Sequence, residues 1–494
     1  MPSLVVHPST SSRPPAVLTL LLLGALAGCR GLPDEPAAQL TARAAPQLSS
    51  GSAAQPLPER WWQLYRDPQL DRLVEQALNH NQDLAAAAAH VDALLAHLEQ
   101  VDGERQPSTL LTYGVGYGRS RDDQTLAQAR DEQAEAQWSH APGFSLSYTL
   151  DLWGEVRYRL AAARADADAA RALEDEWRVT VAAQTTRAYG QACVYAFGRQ
   201  VQRHSVQVLE RSVDVTRRLQ KAGAATALDL ARLNGLLEET RAPLPMLTAR
   251  YQAALYELAV LSGVPPLEVA RQTCARRPQL QAPLPVGDGW ALVQRRADIR
   301  RAERQLQAAT LAIGVARAEL YPRVTFGAAL ESSASSLGKL GTSEALVYSV
   351  GPLLSWRFPQ RGVAQAQVSQ RRAQAREAQA RFDGTVLRAL KQVEQALALY
   401  QGEQQRRQAL QAALDNSQQA HELATRSYRA GALDALQLLD SERNLVNLQA
   451  RVAQADLRLI NRQIDLFQAL GGGWQRNDQP QPQPLPLAAL GAKP

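Results

Sequence analysis

The spacing of apolar residues predicts two very long helices. Apolar side chains recur at steps of four and three residues at Val386, Leu390, Val393, Leu397 and Tyr400. Such steps form the narrow seam of a coiled coil. Proline is absent from 143–242 and from 360–479, so no ring interrupts either stretch. We predict helices over 155–222 and 362–430, each about 100 Å long at about 1.5 Å per residue. Shorter helical segments should return beside them, end to end in pairs: 67–104 with 226–262, and 289–320 with 433–470.

Four stretches alternate with a period of two, which predicts β-strands. They occupy 111–117, 144–152, 324–330 and 346–356 and form two hairpins, at 107–153 and 322–358. Strands of about ten residues match the length that crosses a bilayer at a tilt. The residues assigned to the lipid-facing side are Phe144, Leu146, Tyr148, Leu150, Tyr348 and Val350. A soluble sheet packed on a helix is the alternative, but the narrow helix seams offer it no spare apolar face.

Four strands cannot close a barrel by themselves. Open strand edges are not tolerated in hydrocarbon, so several chains must combine their strands. Because small membrane barrels begin at eight strands, at least two copies are required. Two, three and four copies all satisfy this requirement.

The chain is a tandem duplication. The interval from Asp83 to Pro107 equals the interval from Asp298 to Pro322. Later in each half, the glycine turn at Gly223 corresponds to the one at Gly431. The number of residues between corresponding positions is slightly smaller for the glycine pair than for the pair Asp83 and Asp298. The two copies therefore differ by one small change in length between these positions. We predict a first repeat at 61–263, a connecting equatorial segment at 264–288, a second repeat at 289–473 and a Pro-rich tail at 474–494.

The N-terminus predicts export and lipidation. Arg13 precedes an apolar run at 16–26 that is too short to span a bilayer, and the run leads into Leu26-Ala27-Gly28-Cys29. This tetrapeptide resembles the lipobox of bacterial lipoproteins, which implies a signal peptide at 1–28, acylation of Cys29 and a lipidated linker at 29–60. An ordinary secretory signal with an incidental cysteine is the alternative.

Composition and charge argue against several classes of function. The chain has 54 Lys and Arg against 48 Asp and Glu, interleaved along its length, so it lacks the clustered basic face of a nucleic-acid-binding protein. Its histidines have no partners at metal-ligand spacing. No motif of an activated nucleophile is present. We therefore expect no enzyme, no cofactor, no metal and no nucleic acid. We also expect Cys193 and Cys274 to be isolated thiols, with a disulfide between them as the alternative, and Trp61 and Trp62 to be packing anchors.

Several motifs in order resemble the TolC-like outer membrane factors, and within them the NodT-type lipoproteins of resistance-nodulation-division efflux pumps. They are Trp61-Trp62, Asp67-Pro68, Asp151-Leu152-Trp153-Gly154, Asp298-Ile299, Ile313-Gly314, Tyr321-Pro322 and Leu438-Leu439-Asp440. The similarity extends over 61–474. It implies a mainly helical fold with membrane β-strands: a homotrimer in the outer membrane of a Gram-negative bacterium, with a twelve-stranded barrel above a long antiparallel helical barrel. It also implies a periplasmic adaptor, or membrane fusion protein, and an inner-membrane pump as partners.

The same resemblance assigns roles to the turns between the helices. Gly223 and Gly431 would be periplasmic tips that face the adaptor. Leu436 and Asp440 would narrow the pore there, with Tyr428 in a latch. Two residues depart from the family pattern: Gln437 replaces a second acidic ring, and Ala297 replaces a common proline. For Asp440, a solvated charge on a helix is the alternative.

Three functions remain open from the sequence. The first is the exit duct of an efflux pump for drugs or toxic compounds. The second is the exit duct of a type I protein secretion system. The third is a non-conducting periplasmic scaffold held by lipid. The sequence does not identify a substrate.

Overall fold

The computed structural model describes residues 58–119, 121–266, 274, 280, 295–356 and 361–472. The predicted signal peptide, Cys29 and the tail at 474–494 lie outside the described residues. So do most of the linker at 29–60 and most of the segment at 264–288.

The structure is mainly helical, as predicted, with one sheet. A short 3₁₀ helix, Trp61–Tyr65, opens the described chain. The α-helices that follow are α1 Pro68–His80, α2 Gln82–Gly103, α3 Arg121–Ala129, α4 Glu155–Lys221, α5 Ala227–Arg241, α6 Pro243–Leu261, α7 Ala297–Ala318, α8 Arg361–Arg429 and α9 Ala435–Ala469. The strands are β1 Ser108–Gly118, β2 Gln137–Leu150, β3 Arg323–Ser332 and β4 Leu346–Ser355. The two long helices α4 and α8, of 67 and 69 residues, lie within a residue of the predicted bounds. No described helix is long and apolar enough to cross a membrane.

The helices of the first repeat match those of the second in the way that the sequence indicates. Helices α2 and α7 each contain 22 residues, and Asp83 and Asp298 are the second residues of the two helices. In the correspondence that pairs Gly223 with Gly431, the start of α9 matches the start of α5 and its end matches the end of α6. The repeats are therefore structural as well as sequential.

The return helices of the first repeat are each divided, which the sequence did not predict. Asn81 separates α1 from α2: its side chain accepts from the N–H of Leu84 at 3.1 Å and donates to the carbonyl of Leu261 at 3.2 Å. Pro243 begins α6 because it has no N–H to continue the ladder of α5. The second repeat has Arg451 at the position that corresponds to Pro243, so α9 runs unbroken for 35 residues.

The helices form a layer of four columns. Helix α4 packs on α2, α5 and α6 on one side and on α7 and α9 on the other. Helix α8 packs on α7 and α9. The order across the layer is thus α2 with α5 and α6, then α4, then α7 with α9, then α8. The first and last columns are its edges.

The main core lies at the middle of this layer, where both repeats meet the N-terminal 3₁₀ helix. Trp61 stacks on Phe467 with ring centroids 4.4 Å apart. The hydroxyl of Tyr65 donates to Gln463 at 3.1 Å, and burial raises the pKa of this phenol. Trp61 and Trp62 are almost fully buried. The prediction that they are packing anchors is confirmed.

Cys193 and Cys274 form a disulfide, so the prediction of isolated thiols was wrong. Their Cα atoms lie 5.4 Å apart, although the residues are separated by 81 positions. Cys193 is fully buried on α4, and Cys274 packs against the same core. The pairing joins two residues that are distant in sequence, which no local spacing reveals. Closing a loop of this length stabilises a fold by about 4 kcal/mol in the chain-entropy account.

The two predicted hairpins join into one antiparallel sheet with the order β1-β2-β3-β4. The central pairing, between β2 and β3, places Phe144 opposite Leu330 and Ser147 opposite Gly327. Strand β2 begins earlier than predicted, at Gln137, because Gly118 at the end of β1 still pairs with it. The sheet therefore links the repeats directly.

Candidate functional site

The register of the sheet places the predicted lipid-facing residues on one continuous face. Residues paired across antiparallel strands share a face. Phe144 on β2 is opposite Leu330 on β3, which is opposite Tyr348 on β4. Leu146, Ala328 and Val350 form a second row across the same three strands. Tyr148 and Leu150 continue this face along β2. Tyr348 is 76% exposed and Val350 69%.

On the two central strands, the opposite face of the sheet is mostly small and polar. Its residues on β2 include Ser145, Ser147 and Thr149, and these pair with Ala329, Gly327 and Thr325 on β3. A sheet with one apolar and one polar face separates lipid from water when it closes on itself.

Aromatic side chains bound this apolar face at both ends, a feature the sequence reasoning missed. At the end next to the long helices, Trp153 stacks on Tyr321 with ring centroids 4.7 Å apart. The indole Nε1 of Trp153 donates to the carbonyl of Pro322 at 2.8 Å. At the far end, the ring centroids of Tyr117 and Trp138 are 5.3 Å apart. Tryptophan and tyrosine favour the interface between membrane and water. The available signal was an aromatic residue close to the end of each hairpin strand.

The two tip turns have the same backbone conformation. Gly223 has φ +76° and Gly431 has φ +71°, the left-handed region that glycine adopts without a penalty. The N–H of Ala224 donates to Leu219, and the N–H of Ala432 donates to Ser427. These bonds close a Schellman motif at the end of each long helix. Both glycines are exposed, and no atom lies within 4 Å of where a Cβ would stand.

The helices after the two turns are capped differently. Thr226 and Asp229 form a reciprocal capping box at the start of α5. At the start of α9, the carboxylate of Asp434 itself accepts from the N–H of Gln437 at 2.8 Å. A carboxylate at position 437 would lie close to that of Asp434 and repel it.

The three candidate gate residues lie around this second turn. Tyr428 is in the last turn of α8, half-buried, and its carbonyl accepts from the N–H of Gly431. Asp440 is exposed on α9 and has no hydrogen-bond or ion-pair partner among the described residues. Leu436 is the second residue of α9, and its side chain lies outside the described atoms. The structure places all three within one hairpin.

Polar side chains join α8 to α9 just beyond the gate residues. His421 and Ser441 lie 3.2 Å apart, and Asn444 donates to the hydroxyl of Ser417 at 3.2 Å. Glu442 is buried, and burial raises the pKa of its carboxyl. In contrast, the first hairpin is held by an apolar cluster: Val206, Leu209, Val213, Leu233 and Leu237. The two hairpins therefore differ in the side-chain contacts that join their helices.

An ion pair and an apolar contact link the second hairpin to the first among the described residues. Arg443 on α9 lies 3.4 Å from Glu239 on α5, and both side chains are more than half exposed. Exposed pairs contribute about 0–1 kcal/mol. The ion pair therefore contributes little by itself, and the packing of Leu439 of α9 against the apolar cluster of the first hairpin is the second contact at this point. Among the described residues, no group of three or more His, Cys, Asp and Glu side chains is placed to hold a metal ion.

The sequence profile of the family described as outer membrane efflux protein matches residues 73–264 and 291–472. These two stretches correspond to the two structural repeats. The chain belongs to the outer membrane efflux protein family. As a member of it, the protein lies in the outer membrane with a long periplasmic part, as predicted.

Individual comparisons agree with this assignment. The pyoverdine export outer membrane protein OpmQ of Pseudomonas putida is 30% identical over 454 residues, which cover 90% of this chain and 94% of that protein. Nodulation protein T of Rhizobium leguminosarum bv. trifolii is 28% identical over 417 residues, 84% of this chain and 88% of that protein. The solved structure of the outer membrane channel OprN superimposes with a TM-score of 0.79 at 30% identity, covering 88% of this chain and 98% of OprN. The predicted resemblance to NodT-type outer membrane factors is confirmed. This outer membrane efflux protein thus belongs to a family of channels rather than of enzymes.

Proposed function

We propose that this protein is the outer membrane exit duct of a tripartite efflux pump, passing small molecules from a periplasmic complex to the exterior. The observation that carries the proposal is the sheet, which has one apolar and one polar face and is continuous with a layer of long helices. The relative OpmQ is named for pyoverdine export, which supports a small-molecule cargo.

The open edges of the layer support assembly into a closed ring. Helix α7 has a long helix on each side, α4 and α8, whereas its counterpart α2 packs on one long helix, α4, among the described residues. The missing neighbour of α2 corresponds to α8 of another copy. Both edge columns expose large apolar side chains: Leu387 and Leu423 on α8, and Met246 and Val260 on α6. Head-to-tail packing of copies closes a ring when the rotation allows it.

Three copies in the ring would give twelve strands, the number that the family resemblance implies. A barrel of eight strands has an interior filled by side chains, whereas larger barrels leave an aqueous passage. A duct therefore favours three copies over two. In this homotrimer the tips at Gly223 and Gly431 would meet a periplasmic adaptor, which joins the duct to the inner-membrane pump.

Conductance tests the proposal against a non-conducting scaffold. Full-length protein extracted from outer membranes should migrate as a heat-sensitive oligomer and produce stepwise currents in planar bilayers. A lipid-anchored scaffold would produce no current, and this result would overturn the duct. If deletion of the gene abolished secretion of a protein and left small-molecule export intact, the type I secretion alternative would replace the pump assignment.

The lipid anchor has its own test. If Cys29 becomes the acylated N-terminus, Cys29→Ser should abolish labelling by radioactive palmitate. Each buried CH₂ contributes about 0.8 kcal/mol, so acyl chains anchor firmly. The barrel is an independent anchor, so the oligomer should still form in the outer membrane. Ser50→Ala, in the same linker, is the matched control and should retain the label. Labelling that persists in Cys29→Ser would contradict lipidation at this residue.

A further inference from the structure

The two edges of the helix layer carry opposite charge in the half next to the sheet. Helix α2 contains Asp83, Asp92, Glu99 and Asp102 and has no lysine or arginine. The first part of α8, residues 361–391, contains seven basic residues and only two acidic ones. The basic residues are Arg361, Arg371, Arg372, Arg376, Arg381, Arg388 and Lys391. In the half next to the tips, residues 392–429 of α8 have four basic and four acidic residues.

The charges of α2 lie beside a stripe of alanines on its open side. Helix α2 turns Leu84, Val91 and Val101 toward the interior of the layer, where all three are buried. Positions on the far side follow at steps of four and three residues. They are Ala85, Ala89, Asp92, Ala96 and Glu99, and all five are exposed. Alanine allows a second helix to approach closely, so this side is shaped for a helix that brings positive charge.

Helix α8 has a matching stripe on its own open side. It turns Phe382 and Ala389 toward α7, and Val368 is buried as well. On the other side, Ala366, Ala373, Arg376 and Ala380 are exposed at the same kind of spacing. Arg372 is exposed next to this stripe.

The internal repeat gives the register between the two stripes. Within one chain, α7 packs on α4 with Gly314 against the ring of Tyr158 and with Arg300 at 2.9 Å from Asp175. Replacing α7 by its counterpart α2, and α4 by its counterpart α8, converts these contacts into contacts between copies. Glu99 then lies level with Ala366, and Ala85 lies level with Asp383. Asp92 lies level with the turn that contains Arg376.

In this register Glu99 and Arg372 are not level. They are separated by about 9 Å along the helix axis, at about 1.5 Å per residue. Helical side chains lean toward the N-terminus of their own helix. Helices α2 and α8 run antiparallel, so Glu99 and Arg372 lean toward each other. This shortens the separation to the reach of two long side chains.

We propose that neighbouring copies recognise each other through this charged seam, in which the acidic face of α2 on one copy meets the basic first half of α8 on the next. The inference rests on the proposed ring. Inside the chain the polarity is reversed, because α7 supplies Arg300 and Arg301 to Asp175 and Glu176 of α4. The reversed polarity therefore favours the acidic α2 of another copy, over a basic helix such as α7, against the open side of α8, which is a form of specificity by repulsion.

Charge reversal with reciprocal rescue tests the seam. The double variant Asp92→Lys, Glu99→Lys should raise the monomer-to-oligomer ratio of detergent-extracted protein roughly tenfold at about 0.05 M salt, because attraction becomes repulsion at every seam. The effect should shrink at about 1 M salt, where charges are screened beyond about 3 Å. Adding Arg372→Glu and Arg376→Glu should restore the oligomer. The matched control, Glu135→Lys with Glu344→Lys in the loops of the hairpins, makes the same charge change and should leave the ratio unchanged.

A cross-link that alters no charge tests the same register independently. Ala89→Cys on α2 and Ala380→Cys on α8, placed in one chain, should be joined between copies by a short bismaleimide, and either variant alone should not. If wild-type protein conducts as a ring, yet this pair does not cross-link and charge reversal has no effect, the seam is wrong and the duct stands. If wild-type protein neither oligomerises nor conducts, the proposed function itself fails.

Discussion

Arginine at Leu146 or Leu150 is expected to prevent assembly in the outer membrane. Both side chains lie on the apolar face of β2, in the rows that include Ala328 and Val324 of β3. An arginine on the lipid side of a barrel costs about 2–4 kcal/mol near the midplane, and every copy in the ring incurs it. The measurement is the amount of heat-sensitive oligomer in purified outer membranes.

The neighbouring positions on β2 provide the matched control. Ser147→Arg and Thr149→Arg introduce the same side chain one residue away, on the face shared with Gly327 and Thr325. This face would line the water-filled interior, so assembly should continue. If all four variants assembled equally well, the alternation of apolar and polar residues along β2 would not indicate a membrane barrel.

Widening the tip should raise conductance. Leu436 and Asp440 would stand around one axis in the ring, where three leucines dewet a passage and three carboxylates attract cations. Leu436→Ala together with Asp440→Ala removes both effects, and single-channel current in planar bilayers should increase. Oligomer yield should be unchanged because Asp440 is exposed and Asp434 still caps α9.

The first repeat supplies the control for the gate. Leu228 and Arg232 occupy the positions that correspond to Leu436 and Asp440 when Gly223 is matched with Gly431. If the constriction belongs to the second hairpin, Leu228→Ala with Arg232→Ala should leave the current unchanged. An unchanged current in a well-assembled Leu436→Ala, Asp440→Ala variant would place the constriction elsewhere, a result with which the neutral Gln437 is compatible.

Local features of the sequence determined most of the elements. The long stretches without proline correspond to α4 and α8, because a helix continues where nothing removes its hydrogen bonds. The period of two located all four strands. The repeated motifs at Asp83 and Asp298, and at Gly223 and Gly431, matched the helices of one repeat with those of the other. These signals can be read from short stretches of sequence without knowledge of the fold.

Contacts between distant segments were decided only by the tertiary structure. The disulfide between Cys193 and Cys274 joins residues 81 positions apart. The pairing of β2 with β3 joins the two hairpins into one sheet, which alternation alone does not specify. The column order leaves α2 and α8 at opposite edges, and only this order turns two ordinary charged helices into complementary surfaces. Periodicity shows which side of an element is apolar, whereas packing decides which element covers it.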